Sequence, residues 1–223
     1  LGAIGALERG GDLFAWLEHA DPALRVAATE SLIRLERGRS ILFLLERLRK
    51  ESPEAQLKLL ALFDEFGDLD AMPFLAQFAE QHGDSLPVAQ TVMRVFARRP
   101  HPRCLPFARK AAARFPREEI LQAYIAIVAA IGEEKDRETL IALLGQSPTI
   151  QCQAAGALTR RGCGRYRRIL LDNFRSRKRA ANFAAMDALA YLADEESMLL
   201  LCSALTEASP PHDRKIAELL FTH

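Results

Sequence analysis

Apolar residues recur along this chain on two periods at once. Within a segment they fall at every third or fourth position, the spacing that lines one face of a helix. Between segments they recur about every 31 residues, the mark of a repeat array. Leu32, Phe63, Phe96, Val128, Leu158 and Leu189 hold the same place in successive segments, at steps of 31, 33, 32, 30 and 31 residues. One more step of 31 reaches Leu220, and one backward step reaches Leu1. A second column stands twelve residues after the first: Leu13, Leu44, Leu75, Ala108, Leu140, Leu170 and Leu201. A third stands four further on: Leu17, Leu48, Ala79, Ala112, Leu144, Phe174 and Leu205. Every member of both columns is apolar, and a spacing of four puts the two on one helix face.

Punctuation repeats with the same period. Asp21-Pro22, Ser52-Pro53, Ser147-Pro148 and Ser209-Pro210 each precede an apolar-periodic segment. An Asp or Ser oxygen accepts from the free N–H groups of a first turn, and Pro at the first helical position gives up only a donor that would be unpaired there. Gly38, Gly67, Gly132 and Gly162 follow the same segments, where helices stop. Each repeat therefore reads as a first and a second helix joined by short turns. The second helices are predicted at 22–36, 53–66, 86–98, 117–131, 148–161, 178–193 and 211–223.

The segment "DPALRVAATESLIRL" at 21–35 resembles the HEAT-repeat family, in particular the short bacterial HEAT-like repeats also found in bilin lyases. Asp21-Pro22, Arg25, the Ala27-Ala28 pair and Leu32-x-x-Leu35 carry the resemblance, which fades at repeats three and four, where "RRPHPR" replaces a Gly-Asp ending. It implies an all-α fold: a right-handed α-α superhelix, a HEAT-like solenoid of about seven helix pairs, forming a single array over 1–223. In such a fold no pair buries its face alone, and stacked neighbours share one elongated core. A tetratricopeptide array would be helical too, but its Trp, Gly and Tyr pattern is missing. The columns run to both ends without a polar capping helix, so a segment of a longer protein is expected.

Composition agrees with helices. Ala, Leu, Glu and Arg are abundant and β-branched residues sparse. The longest apolar stretch, 120–132, contains Gln122 and is shorter than the roughly 20 residues of a membrane span. Cys104, Cys152, Cys163 and Cys202 form no CxxC pair and have no His at metal-ligand spacing, so they read as free structural thiols of a reducing, cytoplasmic setting. Cys152 and Cys202 lie in apolar helical patterns and are expected to pack as small hydrophobes.

No catalytic motif is present: no GxSxG, GxxxxGK[ST], GxGxxG or HExxH. His19, His82 and His101 fall at predicted turns or helix ends. The single Trp, Trp16, shares helical spacing with Leu13 and Leu17 and reads as core, which weighs against a HEAT-like DNA glycosylase. No catalytic residue, metal site or cofactor is predicted.

Charge is unevenly laid out although the total is only +1. Residues 1–90 carry net −6, 91–180 net +12 and 181–223 net −5. The turns that follow the second helices alternate in sign: +1 at 36–39, −4 at 64–70, +3 at 98–103, −1 at 133–137, +5 at 160–168 and −3 at 194–196. Such turns can neutralise one another across the 8–10 Å between packed helices. Residues 159–179 hold nine Lys or Arg and one Asp. Within them Tyr166, Ile169, Leu170 and Phe174 form a buried helix side, with Arg165, Arg168 and Arg175 turned outward. Arg177, Lys178 and Arg179 open a second helix, where the helix dipole disfavours positive charge, and are candidates for anion binding.

These features predict a non-enzymatic protein–protein interaction scaffold that uses the concave face lined by second helices. Positions two before and two after the Leu32 column lie off the main apolar set, which makes Glu30, Arg34, Arg94, Arg98, Arg160, Asp187 and Tyr191 the candidate partner contacts. Nucleic-acid or polyanion binding through the basic middle repeats is one alternative, though near-neutral charge and missing aromatic interleaving oppose it. A HEAT-like repeat enzyme such as a bilin lyase is the other.

Overall fold

The computed structural model describes residues 16–35, 40–66, 69–207 and 212–222. Among them the chain is all-α. The first seven helices are α1 (Pro22–Leu35), α2 (Ser40–Lys50), α3 (Pro53–Phe66), α4 (Met72–His82), α5 (Leu86–Arg98), α6 (Leu105–Arg114) and α7 (Glu118–Ile131). They are followed by α8 (Asp136–Leu143), α9 (Pro148–Arg160), α10 (Arg167–Phe174), α11 (Arg179–Leu192), α12 (Glu195–Glu207) and α13 (His212–Thr222). The odd-numbered helices are the seven second helices read from the sequence, and their ends agree with the predicted ones to within one residue. Short 3₁₀ turns at Leu69–Ala71, Pro102–Cys104 and Gly164–Tyr166 lead into α4, α6 and α10.

The caps explain why the ends fall where they do. Asp21 Oδ1 accepts from the Ala23 N–H at 2.8 Å, and Ser147 Oγ from the Ile150 N–H at 3.5 Å. Helix α9 ends on Gly162, whose φ of 87° lies in the left-handed region. There the Cys163 N–H reaches the Leu158 carbonyl at 2.9 Å and the Gly162 N–H the Thr159 carbonyl at 3.0 Å, the paired closure of a glycine-stopped helix. Gly38, Gly67, Ser209 and Pro210 lie outside the described residues, as do Leu1 and Leu13.

The chain divides into two compact units, Leu1–Ile127 and Val128–His223, with the division inside α7. In the first unit α1 packs on α3 and α3 on α5, while α2 packs on α4 and α4 on α6. Odd helices thus meet odd, and even meet even. The core lies between the two sets and holds Leu32, Leu44, Leu48, Phe63, Leu75, Phe96 and Ala108, all buried. Phe96 meets Phe107 edge to face, ring centroids 6.1 Å apart.

In the second unit α9 packs on α11 and α11 on α13, with α8, α10 and α12 against them. Leu158, Leu189, Leu140, Leu170 and Leu201 are buried there, and Phe174 and Leu220 partly so. The buried residues of α9 include Ala154, Ala155, Gly156 and Ala157; those of α11 include Ala184, Ala185 and Ala188. Small side chains let two backbones approach closely: a Cβ on Gly156 would lie 3.5 Å from the Ala188 Cβ. The outward set of α10 is as expected, with Arg165, Arg168 and Arg175 exposed and Leu170 buried.

Two expectations are overturned. Trp16 is 42% exposed and stacks on His19 at 5.4 Å instead of entering the core, which Leu17 fills. Cys202 is exposed because α12 turns Ser197 and Leu201 inward, whereas Cys104 and Cys152 are buried. Burial pushes those two thiols up, to about 12 and about 11, so both stay protonated and inert near neutral pH. Among the described residues no helix is long and apolar enough to cross a membrane.

Candidate interaction face

The seven candidate contact residues all lie on odd helices, and each has an intrachain partner. In the first unit, Glu30 and Arg34 pair along α1 at 2.9 Å, and Arg34 also meets Glu65 of α3 at 3.4 Å. Arg94 and Arg98 of α5 converge on Asp64 of α3, at 3.2 and 2.8 Å. The Asp64 side chain is only 14% exposed, so two guanidinium groups surround a nearly enclosed carboxylate. In the second unit the guanidinium of Arg160 (α9) lies over the Tyr191 ring (α11) at 4.7 Å, and Asp187 (α11) pairs with Lys215 (α13) at 2.6 Å.

Most of these bridges link residues about one repeat apart. Arg34 and Glu65 differ by 31 positions, as do Arg160 and Tyr191. The ion pairs Arg25–Glu51, Arg47–Glu18 and Arg167–Asp194 span somewhat less than a repeat, 26 to 29 residues. Arg25 grips Glu51 with Nε at 2.6 Å and Nη2 at 2.5 Å, while its Nη1 donates to the His19 and Ala20 carbonyls. This bidentate fork ties the turn before α1 to the turn before α3. Nearly buried Arg47 reaches Glu18 at 2.6 Å. Arg167 holds Asp194 with two bonds of 2.8 Å and donates to Ser197 Oγ at 2.7 Å. Asp194 also accepts from the Ser197 N–H and so caps α12. The Arg167 bonds, with help from Ser197, hold the Asp194 carboxyl well below the usual range.

Reading the sequence missed a second device. Arg99 and Arg161 each stand three residues after their column member, Phe96 and Leu158. Arg99 donates to the Phe63 and Asp64 carbonyls at 3.4 and 3.0 Å, at the end of α3. Arg161 donates to the Val128 and Gly132 carbonyls at 3.0 and 2.7 Å, at the end of α7. Both place a cation at the negative end of the preceding odd helix. Gly132 makes room: a Cβ there would come within 2.9 Å of Arg161 Nη1. The sign alternation of the turns therefore has two physical forms, ion pairs such as Arg98–Asp64 and Arg167–Asp194, and caps on helix ends. Residues 36–39 lie outside the described set.

The basic corner ahead of α11 differs from the rest. Lys178 occupies the N-cap position without a side-chain cap bond, although its N–H donates to Ser176 Oγ at 3.2 Å. Arg177, Lys178 and Arg179 are exposed and form no ion pair among the described residues; Arg179 lies over Phe183 at 5.0 Å. The chain matches no family model, and no curated protein matches it.

Proposed function

We propose that this chain is a HEAT-like helical-repeat solenoid that serves as a non-enzymatic scaffold for protein–protein interaction, with the exposed face of its odd helices as the binding surface. One observation carries the reading: within each unit odd helices stack on odd helices at about the step of the sequence repeat, and polar side chains above each stack pair at a similar step. Glu30, Arg34, Arg94 and Arg98 in the first unit, and Arg160, Asp187 and Tyr191 in the second, are then ordered before a partner arrives, which lowers the entropy cost of docking. A cytoplasmic setting fits the protonated, buried thiols of Cys104 and Cys152. The uncapped corner at Arg177, Lys178 and Arg179 favours an anionic group on the partner.

Site-specific photo-cross-linking tests this. A benzophenone amino acid at position 34, 94 or 191 should give discrete protein adducts in lysate, and one at position 74 or 199, on even helices, should not. Adducts of equal yield from both sets, or from the even helices alone, would contradict the proposal.

A further inference from the structure

The column two residues after the core position reads Arg34, Glu65, Arg98, Ala130, Arg160, Tyr191. In the first unit the arginine at 34 finds a carboxylate one repeat ahead. In the second unit Arg160 finds a tyrosine at the same offset. A ring below a guanidinium orders it without neutralising it, and the N–H donors along the edge of the plane stay free for a bidentate acceptor. Arg160 and Tyr191 are exposed, and Arg160 forms no ion pair among the described residues.

Tyr191 ends a stripe of α11 residues spaced by four: Arg179, Phe183, Asp187 and Tyr191. At the opposite end Arg179 rests on Phe183, beside Arg177 and Lys178, again without an acidic partner. Between the two ends Asp187 is already neutralised by Lys215. The stripe thus has cations at both ends of a backbone rise of about 18 Å from residue 179 to residue 191, at 1.5 Å per residue, with a neutral stretch between them. Asp194, Glu195 and Glu196 follow within five residues of Tyr191 and outnumber the one cation, Arg167, that pairs with Asp194 and Glu196. A continuous polyphosphate backbone would run into this acidic segment, whereas a peptide with separated carboxylates would not.

We propose that this stripe seats an extended acidic peptide segment of a partner protein, one carboxylate on the Arg160 fork and a second at the Arg177–Arg179 corner. At about 3.3 Å per extended residue the two acids stand five or six positions apart. The proposal rests on the interaction reading above and gives its partner a chemistry.

The probe is a fluorescein-labelled Gly/Ser peptide with two Glu five positions apart, titrated with the full chain by anisotropy. Its twin with Gln at both positions should bind at least about tenfold more weakly, since charge-assisted bonds are replaced by neutral ones. Tyr191→Phe keeps the platform and should bind like the parent. Tyr191→Glu supplies Arg160 with the carboxylate that Glu65 gives Arg34. It should weaken binding at least about tenfold while leaving the circular dichroism and melting curve intact. Equal binding of the Gln twin, or equal binding by Tyr191→Glu, overturns the proposal. So does displacement of the peptide by a single-stranded oligonucleotide at lower concentration than unlabelled peptide, which would assign the stripe to nucleic acid. If cross-links form from position 191 while the acidic peptide stays unbound, the partner chemistry falls and the interaction reading stands. Absence of both removes the two together.

Discussion

Ala193 is the one non-glycine residue described with positive φ, at 51°. An L side chain in that region crowds its own carbonyl and costs about 1 kcal/mol. The residue closes α11, where the Ala193 N–H donates to Ala190 and Leu189. Ala193→Gly should therefore raise stability by about 0.5–1 kcal/mol, read as a higher denaturant midpoint; a lower midpoint would show that the Cβ contributes contacts outweighing the strain. Gly83 carries the opposite constraint. Its φ of −77° suits any residue, yet a Cβ there would sit 2.3 Å from the Phe107 ring. Space, and not backbone conformation, selects glycine at that position.

Between elements, side-chain size sets how near two helices come. Gly156 lies inside α9 with room for a methyl at ordinary contact distance from Ala188. Gly156→Ala should add about 0.5–1 kcal/mol by restricting the unfolded chain, with a correspondingly higher melting temperature. A fall would mean that α9 and α11 sit closer than the 3.5 Å contact implies. The Arg167–Asp194 bridge ties α10 to the start of α12 and makes stability depend on pH. The folded-state pKa of Asp194 is depressed, so its contribution is complete above the unfolded value of about 3.9 and is lost as pH falls below it. Asp194→Asn keeps a competent cap but loses the charge. Its urea midpoint should fall below the parent's at pH 7, and the gap should narrow steadily as pH falls below about 3.9. A constant gap across that range would show that the bridge works by hydrogen bonding alone.

At the scale of the whole molecule, the helices and their buried columns were legible because a period of about 31 residues survives substitution of one apolar residue by another. Leu32, Phe63, Phe96, Leu158 and Leu189 fill one role with different shapes. The polar bridges were less legible. Arg99 and Arg161 read as turn charges because a sequence does not show that the end of the preceding odd helix lies within reach of their guanidinium groups. Trp16 and Cys202 misled for a related reason: helical spacing beside a core residue does not say which side of the face a residue takes. The basic middle of the chain also changes meaning. Arg94, Arg98, Arg99, Arg161 and Arg167 are engaged within their own units, whereas Arg160 and the 177–179 corner, all of them beside α11, form no ion pair among the described residues.

We propose that, within each unit, a repeat is held by its neighbours at the step of the sequence period, so whole repeats are removable units. Deleting residues 64–96 joins Phe63 to Ala97 and puts Phe63 in the place of Phe96. Deleting residues 64–80 removes half a step and puts every later column out of register. The measurement is thermal unfolding followed by circular dichroism on the full chain and both deletions. The full-step deletion should keep its helicity per residue and a cooperative transition, at a reduced melting temperature, while the half-step deletion should lose cooperativity. Equal loss of structure in both would contradict the repeat account.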